Sequence, residues 1–357
     1  ELEYIFKHDL TREAAYNGLL KKERRVFHRQ VAEALERLFP DRLDELLGLL
    51  AHHWERAGDA EKAVDCLQRA GDQARLAYAH EEAVDYYRRA LAFLRRGEEL
   101  RRTARLLMKL GLTYSNAFRY EEARQANEEG FRLWQQAAET APARPPPAPH
   151  ALRVAPYEPV TGGLFRSGRR ELFSGLVELT PEVDVVPDVA QGWDILDGGR
   201  TYVFHLNDDV RWSDGMPVTA GDFEFAWKRM LDPATGSPHA YLLYDIKGAR
   251  AVHQGETSDP DGVGVQARDD RTLVVELESP VAYFLQLTAN VATQPVPRHV
   301  VQELGPAWAE PENLVTNGPF QLESRQQGRR TVLVRNLHYH GLASGNVQRV
   351  ELYGPAM

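Results

Sequence analysis

Apolar residues in the first 140 positions recur at the period of a helix. Ala63, Leu67, Ala70 and Ala74 form one row, Val84, Tyr87, Leu91 and Leu94 a second, and Ala123, Phe131 and Trp134 a third. Each row follows a similar opening: Gly58-Asp59-Ala60-Glu61-Lys62-Ala63, Ala79-His80-Glu81-Glu82-Ala83 and Arg119-Tyr120-Glu121-Glu122-Ala123. A turn, acids in the first helical turn and a small residue on the apolar face make up the unit, and the acids suit the positive end of the helix. The small residues stand 20 and then 40 positions apart, so the repeat is irregular.

From Leu152 onward the pattern becomes one of short strands broken by turn residues. Thr201–Leu206 reads as a strand, Asn207-Asp208-Asp209 as a turn, Val210-Arg211-Trp212 as a second strand and Asp214-Gly215 as another turn, together a β meander. Thr219 and Asp222 then open a helix with Phe223, Ala226, Trp227 and Met230 on one face, and Asp232-Pro233 closes it. Residues 264–267 and 272–277 predict a hairpin, and a short helix is expected from Val281 to Leu287. Strands follow at 320–322, 330–335 and 347–353.

Proline sharpens this division. Residues 1–140 contain only Pro40, and the remaining 217 residues contain the other 20. The stretch Ala141–His150 holds five of them, which prevents helix or ladder from propagating. It is either a polyproline II spacer of roughly 30 Å or a tether without preferred length. The division is therefore 1–140 helical repeat, 141–150 linker and 151–357 strand-rich lobe. Charge follows it, with net −1 before position 141 (24 basic, 25 acidic) and net −8 after it (19 basic, 27 acidic).

An overall charge of −9 argues against nucleic acid as a partner. One cysteine, Cys66 at an apolar helical position, excludes a disulfide framework and a cysteine zinc cluster. His52 and His53 are adjacent, about 100° apart on a helix, and so form a poor metal pair. His338 and His340 would share a face of an extended segment, but no third ligand stands at a suitable spacing. With no G-x-S-x-G, H-E-x-x-H or phosphate loop, the sequence points to no catalytic residue, no metal and no cofactor.

The helical rows resemble tetratricopeptide repeats, in which a small residue lets paired helices approach. The opening segment Tyr4–Tyr16 with Arg24–His28 resembles the helical region that follows the ATPase module of large bacterial signalling proteins. ATP binding is not carried over, because the phosphate loop is absent. The later segments Glu171–Val177, Tyr202–Leu206, Trp212–Ala220, Phe225–Arg229, Pro295-Val296-Pro297 and Asn317-Gly318-Pro319-Phe320 resemble the family 5 extracellular solute-binding proteins, which include oligopeptide-, dipeptide- and nickel-binding members. The fold class expected is therefore multidomain, an all-α tetratricopeptide-like repeat followed by an α/β (α+β) periplasmic-binding-protein-like lobe.

This second resemblance implies a two-lobed clamp that closes on a solute, with a peptide or similar small solute as ligand and membrane permease subunits as partners. The Pro233–Tyr241 segment matches a family loop that reaches the pocket, which makes Ser237, His239 and Tyr241 candidate ligand contacts, with His239 where an aromatic usually stands. Glu158, Thr161 and Gly162 lie in a segment matching another wall of the cleft. Trp212, Asp214, Gly215, Phe225 and Trp227 are expected to be structural. The family's second lobe has no counterpart before Met357, so the chain is expected to be a first lobe only, either a fragment or a domain that does not clamp. The alternative is a cytoplasmic signalling scaffold whose repeat binds a protein partner and whose lobe is regulatory. A transport receptor would work in the periplasm.

Overall fold

The computed structural model describes residues 16–95, 99–139, 150–154, 169–181, 183–326, 329–341 and 347–353. The chain divides into two compact units, Glu1–Ala117 and Phe118–Met357. Of the expected linker at 141–150 only His150 is described, at the start of a strand, and the rest of it and the opening segment up to Ala15 lie outside the described residues.

In the first unit, α1 (Lys21–Leu38), α2 (Leu47–Ala57), α3 (Ala60–Leu76), α4 (His80–Leu94) and α5 (Leu100–Asn116) follow one another. The rows read from the sequence face the core: Ala63, Leu67, Val84, Tyr87, Leu91 and Leu94 are all buried. Cys66 is buried too, and desolvation pushes its thiol up to about 11. Asp59 caps α3 by accepting from the Lys62 amide at 3.3 Å. Gly71 of α3 gives room for the Tyr87 ring of α4, because a Cβ there would fall on that ring. The Tyr87 hydroxyl donates to Asp72 at 2.6 Å, and Lys109 of α5 donates to the same carboxylate at 2.8 Å. No helix among the described residues is long and apolar enough to cross a membrane.

The third helical row belongs to the second unit. Helix α6 (Tyr120–Glu139) packs on β4 (Ala190–Leu196), with the Phe131 ring 4.6 Å from that of Trp193. The compact units part between Ala117 and Phe118, ahead of this helix. The reason is that this apolar face finds an aromatic partner on the sheet.

Among the described residues, the second unit is built on two four-stranded sheets and a two-stranded ribbon. With β1 (His150–Val154), β8 (Phe320–Gln326), β9 (Arg330–Arg335) and β10 (Val347–Tyr353), the first sheet has the order β1-β10-β9-β8. Its β1 and β10 run parallel, so a long crossover connects them. The ribbon pairs β2 (Val177–Leu179) with β3 (Val185–Pro187). With β5 (Thr201–Leu206), β6 (Val265–Asp269) and β7 (Thr272–Glu276), the other sheet is antiparallel in the order β4-β5-β7-β6.

The expected hairpin is β6–β7, and the strands at 201–206, 330–335 and 347–353 match the sequence reading. The meander does not form: Val210-Arg211-Trp212 carries only an isolated bridge from Arg211 to Pro217. Trp212 bonds back to Met216, and Val218 to Val210, so the segment closes on itself and β5 pairs with β4 and β7 instead. The short helix after Pro280 begins only at Phe284 and ends at Thr288.

Helix α7 (Ala220–Leu231) lies against β6 and β7. Its start is a capping box, with the Thr219 amide donating to Asp222 Oδ2 at 2.8 Å. Asp222 also accepts from the Arg298 amide at 3.1 Å, which fixes the start of α8 (Arg298–Leu304).

Candidate functional site

The most recognisable motif segments build a frame. Between the short helix ending at Leu172 and strand β2, residues Phe173–Leu176 are irregular and buried, so their peptide groups need partners from elsewhere. Asn317 supplies two: its Oδ1 accepts from the Ser174 amide at 3.0 Å, and its Nδ2 donates to the Ser174 carbonyl at 3.1 Å. Gln294 donates to the Phe173 carbonyl at 2.8 Å, and the Gly318 amide donates to the Leu172 carbonyl at 2.8 Å. A Cβ on Gly318 would stand 2.5 Å from the Leu172 carbonyl carbon, so the two strands of chain meet backbone to backbone. Asn336 closes the other side by donating to the Gly318 carbonyl at 2.9 Å. Trp212 and Trp227 are fully buried, and the Trp227 indole donates to the Thr293 carbonyl at 2.8 Å.

From this frame the loop after α7 reaches solvent. Asp232 accepts from the Ala234 amide at 2.9 Å and holds the single turn Pro233–Thr235. The Ser237 hydroxyl accepts from the His239 amide at 3.3 Å, which sets the entry to the turn Ala240–Leu243. Ala240 and Leu243 are buried beneath it, whereas His239 is exposed and Tyr241 is 59% exposed. Ser237, His239 and Tyr241 are thus brought together on a surface stretch whose backbone is fixed from below. Their groups can hydrogen-bond and stack. Glu158, Thr161 and Gly162 lie outside the described residues.

Phe225, expected to be structural, is less buried than Phe223 of the same helix. It is half-buried and lines an open groove of about 700 Å³ with Gly221, Arg229, Pro233 and Arg298. At about 100° per residue it stands roughly 200° from Phe223, on the opposite face of α7. The helical wheel alone could have found it. Asp214, also expected to be structural, accepts from His299 at 2.7 Å and caps its own turn through the Met216 amide at 3.0 Å.

The histidines of the 338–340 segment go separate ways because the segment is a turn, with Asn336 Oδ1 accepting from the His338 amide at 3.0 Å. The His340 side chain is 5% exposed and bonded to Asp188 at 2.9 Å, and His338 is exposed. Tyr339 packs on His340, and burial raises its phenol, with Asp188 adding to the effect. His52 and His53 are joined by His28 from α1, whose Nδ1 lies 2.9 Å from His53 Nδ1. Among the described residues, no group of three or more His, Cys, Asp or Glu is placed to hold a metal ion.

Comparison with known proteins bears on the second unit. Residues 184–353 match the family model described as bacterial extracellular solute-binding proteins, family 5 Middle. This part of the chain is similar to the family 5 solute-binding proteins. Over 183 residues the chain is 42% identical to the probable deoxycholate-binding periplasmic protein YgiS of Escherichia coli, covering 51% of this chain and 34% of that protein. Over 204 residues it is 38% identical to the periplasmic oligopeptide-binding protein OppA of the same organism, covering 57% and 36%. The crystal structure of the substrate-binding domain of an oligopeptide ABC transporter from Bacillus anthracis superposes with a TM-score of 0.54 at 31% identity, covering 58% of this chain and 42% of that one. The chain spans about a third of the length of these two curated relatives.

Proposed function

We propose that the second unit is the first lobe of a peptide receptor that delivers its ligand to an ABC-type permease. The observation that carries this reading is the match over 184–353 to the family 5 middle region, together with 38% identity to an oligopeptide-binding protein. Ser237, His239 and Tyr241 are the ligand contacts in this reading, and what supports them is their placement on one anchored, solvent-facing loop. An imidazole in the middle of that loop offers a hydrogen bond to a peptide carbonyl or carboxylate. Closure against a second lobe would then follow from contacts that only the closed state makes.

The first unit is read as a tetratricopeptide-like array for a protein partner. Its support is the close approach of α3 and α4 at Gly71 and the buried Ala63 and Ala83. Calorimetric titration of the full protein with trilysine, trialanine and deoxycholate tests the ligand class. Peptide binding that weakens about tenfold in both His239→Ala and Tyr241→Ala is expected. Heat from deoxycholate alone, or from none of the three, would overturn the peptide reading.

A further inference from the structure

The groove on the outer face of α7 has no part in that reading, since Ser237, His239 and Tyr241 are not among its lining residues. At about 700 Å³ it falls in the size range of small-molecule pockets. Its floor is Phe225, with Val252, Pro233 and Pro260 as apolar walls. The Arg298 guanidinium stands over the Phe225 ring, 6.0 Å from its centre.

Charge decides what such a groove can take. Lys228 is already neutralised, by Glu224 at 2.8 Å and Asp261 at 3.1 Å. Glu224 also accepts from the Ala267 amide at 2.9 Å, and Asp232 is engaged by the Ala234 amide. Two lining cations remain: among the described residues neither Arg229 nor Arg298 has an acidic partner. Both share the groove with Phe225, and Thr235, Thr257 and Ser258 line the same space. A guanidinium fork matches a carboxylate in two parallel hydrogen bonds. The apolar floor requires that the carboxylate be carried on a flat hydrophobic body. Asp232 keeps its charge, so the lining Lys228, Arg229 and Arg298 against Glu224 and Asp232 leave one net positive charge, which favours an anion over a zwitterionic peptide.

We propose that this groove is a second binding site, distinct from Ser237, His239 and Tyr241 although Pro233 and Thr235 of the same loop line it, for an aromatic or similarly flat apolar carboxylate. Arg229 and Arg298 hold the carboxylate, and Phe225 stacks on the body. The probe is 2-naphthoate, with 2-naphthylmethanol as its neutral counterpart, titrated calorimetrically into the full protein. The expected result is saturable naphthoate binding at least tenfold tighter than the alcohol. Arg229→Gln and Arg298→Gln should each weaken naphthoate about fivefold or more while barely changing the alcohol. Phe225→Leu should weaken both, and circular dichroism melts should show each variant folded. Equal affinity for acid and alcohol, or naphthoate binding unchanged in both arginine variants, would overturn the proposal, as would no binding at all.

Discussion

The two units solve the problem of buried backbone in different ways. In the first, α3 and α4 satisfy their own peptide groups along the helix, so the side chains between them are left to fill space: Ala63, Leu67, Ala83 and Tyr87. In the second, the irregular stretch Phe173–Leu176 has no such internal pairing, and buried amide side chains take its place. Asn317, Gln294 and Asn336 are 0%, 7% and 3% exposed, and each bonds backbone. Loss of packing volume and loss of a hydrogen-bond partner should therefore rank differently in the two units.

The largest effect is expected at Asn317. Replacing it with Ala removes both bonds to Ser174 and leaves a buried amide and carbonyl without partners, at a cost of about 3 kcal/mol. Urea unfolding followed by far-ultraviolet circular dichroism checks it, and a loss under about 1 kcal/mol would mean that this frame is not held by its amides. In the helical unit the matching test is Gly71→Ala. Alanine is the better helix former by about 1 kcal/mol. Against this, its methyl group would strike the Tyr87 ring, which is fully buried and tied to Asp72. A net loss of about 1–2 kcal/mol is expected, and a stabilised variant would show that the two helices can separate freely.

That contrast also explains what could be read from the sequence. Helical rows such as Val84, Tyr87, Leu91 and Leu94 declare themselves because one period governs both chain geometry and burial. Strands β5, β9 and β10 were legible through β-branched and aromatic runs bounded by turns. Strand β4, Ala190-Gln191-Gly192-Trp193-Asp194-Ile195-Leu196, was not, because Gln191, Gly192 and Asp194 weaken any strand signal and its partners lie elsewhere in the chain. Helix α6 was read correctly as a helix, but its packing on Trp193 is a long-range fact that no local pattern records. As ligand contacts, Ser237, His239 and Tyr241 rest on resemblance and on their shared exposed loop. The groove was not legible, since Arg298 is brought to Phe225 by the Asp222 bond to its amide, across 76 positions.

The smallest effects are those of acid, and they separate the units by pH. In the helical unit, burial holds His28 below its ordinary 6.5, and the charges of His53, His52 and Arg56 lower it further; His53 is lowered by burial and by His52. These rings take up protons less readily in the fold than in the unfolded chain, which does so as the pH drops below about 6.5. Their contribution is therefore complete above that pH and declines below it. In the sheet unit, Glu351 is held at about 2 by hydrogen bonds from Tyr353, Arg330 and Arg349. Its folded value is depressed, so its contribution is complete above about 4.5 and is lost between there and about 2. Thermal melts from pH 7.5 to 2.5 should then show two separate losses. His28→Gln should flatten only the first and Glu351→Gln only the second. If His28→Gln left the slope between pH 7 and 5.5 unchanged, the histidine cluster would have no share in how the first unit responds to acid. The difference between the units would then lie in their buried amides alone.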